Sequence, residues 1–228
     1  MKRFVLTLSL LLFSSTAHAA TITFLQFNEI TFDAPVVFTN TGPGDTTIVA
    51  TDVLVDVNLA EAFCLEPTCG GFDEDLPVTF NLNAFSTSDA TVTGGVVEQN
   101  YAGSFSFVQN GINILTVNFS DELTGSEGGS NPTLNSSDPP DTFTGTSDIL
   151  DPDLLIAPRG FGFGFSAFTS SLGGLQVVNN SVISGTADIA GTLNASPLQV
   201  SEVPEPASLL LLGSGLTALA AARRRRKQ

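Results

Sequence analysis

The chain has 228 residues, a hydrophobic share of 42% and a formal net charge of −15. That composition suits one globular domain, not a disordered chain. Twenty-two of the 23 acidic residues but a single base, Arg159, lie between positions 20 and 203, so this stretch carries −21. One cation cannot displace counterions along a phosphate backbone, which excludes nucleic acid and direct adhesion to anionic lipid.

The N-terminus begins Met1-Lys2-Arg3, continues with an apolar run over residues 4–13, and reaches Ala17-His18-Ala19. A basic start, a short apolar core and small residues at −3 and −1 predict a secretory signal peptide over residues 1–19. Residues 20–196 then read as strands. Val53, Val55 and Val57 alternate on one face, and residues 78–85 alternate likewise. Thr91-Val92-Thr93 and Val96-Val97 flank Gly94-Gly95, a hairpin pattern. Asn110-Gly111 sits between two apolar runs and accepts the positive φ angles of a type I′ turn. That turn opposes Gln109 to Ile112 and Phe107 to Ile114. Phe161, Phe163 and Phe165 alternate with Gly160, Gly162 and Gly164, so the rings share one face as core. Strands at this spacing, broken by Gly, Asn and Pro, predict an all-β fold, an antiparallel β-sandwich or jelly roll. Residues 121–153 hold eight acids among Ser, Thr, Gly and Pro, and are expected as a mobile acidic loop.

Residues 197–202 read as a linker. Val203-Pro204-Glu205-Pro206 follows, then sixteen uncharged residues, 207–222, then Arg223, Arg224, Arg225, Arg226 and Lys227 within the basic tail 223–228. Sixteen helical residues rise about 24 Å, short of a hydrocarbon core of about 30 Å. The basic cluster acts as a stop-transfer signal and stays cytoplasmic. The two prolines keep the preceding chain extended, a form a protease can bind. This three-part pattern over residues 203–228 resembles the PEP-CTERM sorting domain. The resemblance implies an exosortase as processing partner, membrane contact through the helix before processing, and delivery to the cell surface or extracellular matrix. It also implies a setting rich in extracellular polysaccharide.

Catalytic residues are scarce. The only histidine, His18, lies in the signal peptide, and no lysine occurs between Lys2 and Lys227. Histidine-based triads and lysine nucleophiles are therefore absent from the exported part. Carboxylate chemistry of the glycosidase kind remains as the one enzymatic alternative, but the chain has no Trp and one Tyr, Tyr101. The reading is that it is not an enzyme. Cys64 and Cys69, the only cysteines, are expected to pair as a disulfide in an oxidising compartment. No cofactor is expected, except that two acidic clusters are candidate calcium ligands: Asp73, Glu74 and Asp75, and Asp148, Asp151 and Asp153. Neither has the spacing of an EF-hand. Arg159 is expected to pair with a carboxylate. The expected role is structural or adhesive, linked to exopolysaccharide or biofilm, with a carbohydrate- or calcium-binding surface module as the alternative.

Overall fold

The computed structural model describes residues 21–31, 36–65, 69–138, 140–151 and 156–196. The signal peptide, the linker, the sorting motif with its helix and basic tail, and Asp153 lie outside them.

Period-two alternation produces long antiparallel strands. These are β1 (Ile22–Glu29), β2 (Val36–Gly42), β3 (Asp45–Leu59), β4 (Val78–Ser86), β5 (Thr91–Thr93), β6 (Val96–Gln109) and β7 (Ile112–Ser126). After them come β8 (Thr133–Asp138), β9 (Phe143–Thr146), β10 (Ile156–Ser170), β11 (Val177–Val178), β12 (Ser181–Val182) and β13 (Gly185–Ser196). Eight of these close into a ring in the order β6-β4-β3-β1-β13-β10-β8-β7, and β7 pairs back onto β6. The all-β reading holds, and the two-sheet sandwich gives way to a closed antiparallel barrel. The reason is visible in β6, which bonds β4 along one edge and β7 along the other over almost its whole length. Closure removes the free edges that a sandwich would leave. β1 and β2 share one slot between β3 and β13, as a single wall strand interrupted at residues 30–35.

The stretch expected as an acidic loop, residues 121–153, instead supplies the end of β7 and all of β8 and β9. Ser, Thr and Asn on outward positions made it look unstructured. Its inward positions, Leu123, Leu134 and Phe143, are buried.

An eight-stranded barrel is just wide enough inside to be filled by side chains, and here phenylalanines fill it. Phe163 lies 4.5 Å from Phe161, 4.9 Å from Phe105, 5.5 Å from Phe27 and 5.8 Å from Phe80, ring centre to ring centre. Full burial of one such ring stabilises the fold by about 3 kcal/mol, and edge-to-face neighbours add to it. Phe161, Phe163 and Phe165 point inward as expected, while a Cβ on Gly160 would sit 2.2 Å from the Ser136 carbonyl oxygen of β8.

The Asn110-Gly111 turn has φ of 52° and 81°, and Gln109 faces Ile112. Val108 still faces Asn113, and two residues from the turn the register departs from the simple hairpin. A bulge between Phe107 and Val108 sets Phe107 against Leu115 in place of Ile114. Ile114 and Leu115 are both buried as a result, which strict alternation would forbid. The Gly94-Gly95 hairpin forms as expected, with Thr93 opposite Val96.

Both barrel ends are plugged. At one end, the β11–β12 hairpin buries Val182 and is held by the Val182 N–H donating to Gln99 Oε1 at 3.1 Å. Gln99 Oε1 also accepts the Tyr101 hydroxyl at 3.0 Å. At the other end a short 3-10 turn, Glu61–Phe63, buries Phe63, and the Asp151 N–H donates to the Phe63 carbonyl at 2.9 Å.

Candidate functional site

A filled, plugged barrel leaves no internal chamber for a ligand among the described residues. Its pattern, apolar inside and Asn, Ser and Thr outside, is also the reverse of a lipid-facing barrel. The outer surface carries the open grooves, and its walls differ in chemistry.

One wall is built by β4, β6, β7 and β9. Alternation turns Asn81 and Asn83 of β4 outward, and register carries each onto a rung crossing four strands. The first rung is Asn83, Ser104, Asn118 and Thr144, and the second is Asn81, Ser106, Thr116 and Thr146. None of these eight side chains is ionisable. Asn81 Oδ1 accepts the Asp52 N–H at 2.9 Å, and the Thr116 hydroxyl donates to Asn113 Oδ1 at 2.9 Å. The other six side chains make no hydrogen bond with any described residue. A shallow groove of about 350 Å³ lies over Asn81, Asn83, Ser104, Ser106 and Thr116 and extends onto residues 49–51 of β3 rather than onto β9. Phe85, 53% exposed, stands one position beyond Asn83 on the same face.

On the neighbouring wall, Gln26 and Asn28 of β1, Asp56 and Asn58 of β3, and the loop residues Glu74 and Asp75 line a second groove of about 440 Å³. Two of the candidate calcium ligands therefore meet a third acid, Asp56, that sequence spacing could not associate with them. The third residue of that cluster, Asp73, is used otherwise. Its Oδ1 accepts the Asp75 N–H at 3.0 Å, and its own N–H donates to Gln109 Oε1 at 2.8 Å. In the second cluster, Asp148 Oδ2 accepts the Asn113 N–H at 2.9 Å, and Asp151 anchors the plug through its backbone. Among the described residues no group of three or more His, Cys, Asp or Glu side chains is placed to hold a metal ion.

Cys64 and Cys69 form the disulfide beside the plug. Arg159 Nε pairs with Asp138 Oδ2 at 2.9 Å, and its guanidinium lies 5.5 Å above the Phe143 ring centre. The lone cation thus ties β10 to β8 and covers a core ring.

A buried acid was not evident from sequence. Asp121 on β7 turns into the barrel and is 3% exposed. Its Oδ1 accepts the Glu122 N–H at 2.5 Å, while its Oδ2 has no hydrogen-bond partner among the described residues. Loss of solvation raises its pKa from 3.8 to about 8, the Glu122 N–H opposes this, and the Asp141 and Glu122 carboxylates add to the rise. A polar residue at an inward position of β7 is the only sequence signal, and it becomes readable once the register is known.

Residues 202–226 match the family model of the PEP-CTERM protein-sorting motif. No curated protein and no solved structure matches the chain significantly. The motif coincides with Val203, Pro204, Glu205 and Pro206 and with the apolar and basic segments that follow. It marks the chain as an exported protein targeted to an exosortase.

Proposed function

We propose that this chain, which carries a PEP-CTERM sorting motif, is a non-catalytic matrix protein. It is exported behind a cleaved leader, held at the membrane by residues 207–222, and cut near Val203-Pro204-Glu205-Pro206. It is then delivered to the cell surface or extracellular matrix, where it acts as a structural or adhesive component beside extracellular polysaccharide. The observation that carries this reading is the sorting-motif match over residues 202–226. The barrel supports it from a second direction. The described residues concentrate their polar groups on the outer walls, as a protein that works by surface contact requires. The lack of histidine after His18 and of lysine between Lys2 and Lys227 supports a non-catalytic role. Weak, diffuse cation association fits a stretch of charge −21.

The test is intact mass of the protein recovered from the surface and medium of its native host, with and without the exosortase. A mass lacking both the leader and the residues after the Pro-Glu-Pro segment, restored to full tail length in the exosortase-free strain, is the expected result. A retained basic tail in the wild-type host overturns the sorting step.

A further inference from the structure

We infer that the wall formed by β4, β6, β7 and β9 is a docking face for an uncharged polysaccharide. The inference rests on the matrix role proposed above and assigns it a place and a ligand class.

Hydrogen-bonding capacity is the first argument. Asn83, Ser104, Ser106, Asn118, Thr144 and Thr146 face outward with their side-chain donors and acceptors unused by the described residues. Amides and hydroxyls each offer both a donor and an acceptor, which is what a sugar hydroxyl demands of its partner. Elsewhere on the barrel exterior several such groups satisfy one another. The Thr23 hydroxyl donates to Asn194 Oδ1 at 2.7 Å, and Asn135 Nδ2 to Thr133 Oγ1 at 2.9 Å.

Charge is the second argument. Both rungs are free of ionisable side chains in a stretch that carries 22 acids, and the acids that border them, Asp52 of β3, Asp148 beside Asn113 and Glu122 further along β7, stand at the rim. The groove on the neighbouring β1–β3 wall concentrates Asp56, Glu74 and Asp75. An acidic polymer is repelled by a surface of this sign, and a neutral one is not.

Shape is the third. The rungs step from strand to strand at about 4.8 Å, so a chain laid across them meets a new polar pair at each strand. The exposed Phe85 ring at the margin offers a flat apolar face for the less polar side of a sugar ring. A protein partner, including a second copy of this chain, needs an apolar centre to its interface, and neither rung contains a large apolar side chain.

Affinity electrophoresis of the full-length protein tests this, in gels containing dextran, mixed-linkage β-glucan or galactomannan, with alginate as the acidic comparator. Retardation is expected in at least one neutral gel and not in alginate. Asn83→Asp combined with Asn118→Asp should weaken that retardation at least tenfold at an unchanged melting temperature, whereas Asn28→Asp on β1 should leave it unchanged. Thr144→Ala with Thr146→Ala, a milder change on β9, should weaken it about threefold and serves if the aspartate pair fails to fold. Retardation that both rung variants leave intact overturns this face while sparing the matrix role. No retardation in any neutral gel overturns the inference even where processing and surface delivery are normal. A concentration-dependent dimer abolished by the same substitutions gives the face to a second copy and overturns it too. Absence of correctly processed protein from the matrix would instead remove the role on which the inference stands.

Discussion

Replacing Asp121 by Asn should stabilise the protein, and by an amount that grows with pH. Asp121 faces the barrel interior beside Tyr101 of β6, its register partner, and the β7–β8 register continued by one residue sets it opposite Ser136 of β8. Neither neighbour carries a charge to offset its own: burial raises the Tyr101 pKa still further above its ordinary value, and Ser136 Oγ is itself buried without a hydrogen-bond partner among the described residues. The charged groups that act on it are Asp141 and Glu122, both acidic. Below about pH 4 the carboxyl is protonated both folded and unfolded, and it costs nothing. Between pH 3.8 and about 8 the unfolded chain ionises while the folded chain holds its proton, so stability falls as pH rises. Above about pH 8 the penalty is constant. About four pH units at 1.36 kcal/mol each set a ceiling of about 5 kcal/mol, reduced by any water that reaches Oδ2. Asn has nearly the same shape and cannot ionise. A gain of about 2 kcal/mol at pH 8 corresponds to roughly 4–8 °C in melting temperature for a domain of this size. Circular dichroism melts of both proteins at pH 4, 6, 8 and 9 read the difference directly. The variant should match wild type near pH 4 and exceed it increasingly to pH 8. A difference independent of pH, or a variant less stable at pH 8, would refute the reasoning.

Phe163→Ala removes a ring that touches four others, and chemical denaturation should show a loss of about 3–5 kcal/mol. Gly160→Ala drives a methyl into the Ser136 carbonyl 2.2 Å away. That carbonyl is backbone and cannot swing aside, so a loss of about 1–3 kcal/mol is expected in the same assay. Cys64→Ser with Cys69→Ser opens a six-residue ring. Loop-closure entropy predicts a loss of about 2 kcal/mol, and reduction of the wild-type protein should reproduce it.

Local signals in this sequence were reliable where one residue type answers one geometric demand. Asn110 and Gly111 occupy positive φ because a type I′ turn requires it. Gly160 alternates with Phe161 because a neighbouring strand passes too close for a Cβ. Arg159 finds Asp138 because an unpaired, half-buried guanidinium is costly. What sequence could not reveal depends on pairing between distant strands. Barrel and sandwich share the same alternation, and only the bonding of β6 to both β4 and β7 separates them. The bulge at Phe107 and Val108 leaves no mark in composition. The polar rungs are equally hidden, since Asn83, Ser104, Asn118 and Thr144 come from four strands and look, one at a time, like ordinary solvent-facing residues. Residues 121–153 mislead for the related reason that small polar residues serve an outer wall and a loop equally well.

Topology also places the proposed docking wall relative to the sorting signal. β1 and β13 are neighbours, with Ile22 opposite Ala195, so the domain's chain ends lie side by side on the wall they share. In the ring order β6-β4-β3-β1-β13-β10-β8-β7, β13 stands four places from β6, and β1 four places from β7. The polar rungs on β6 and β7 therefore lie diametrically across the barrel from the strand that leads to the tail. Six residues, 197–202, separate β13 from the sorting motif, a reach of about 20 Å when fully extended. Before cleavage such a tether would keep the barrel close to the membrane with its β1–β13 wall nearest the anchored chain. The two uncharged rungs would then be on the side farthest from the tether. Processing would change where the protein can diffuse without exposing or hiding any residue of the docking wall, so binding should be the same before and after the tail is removed.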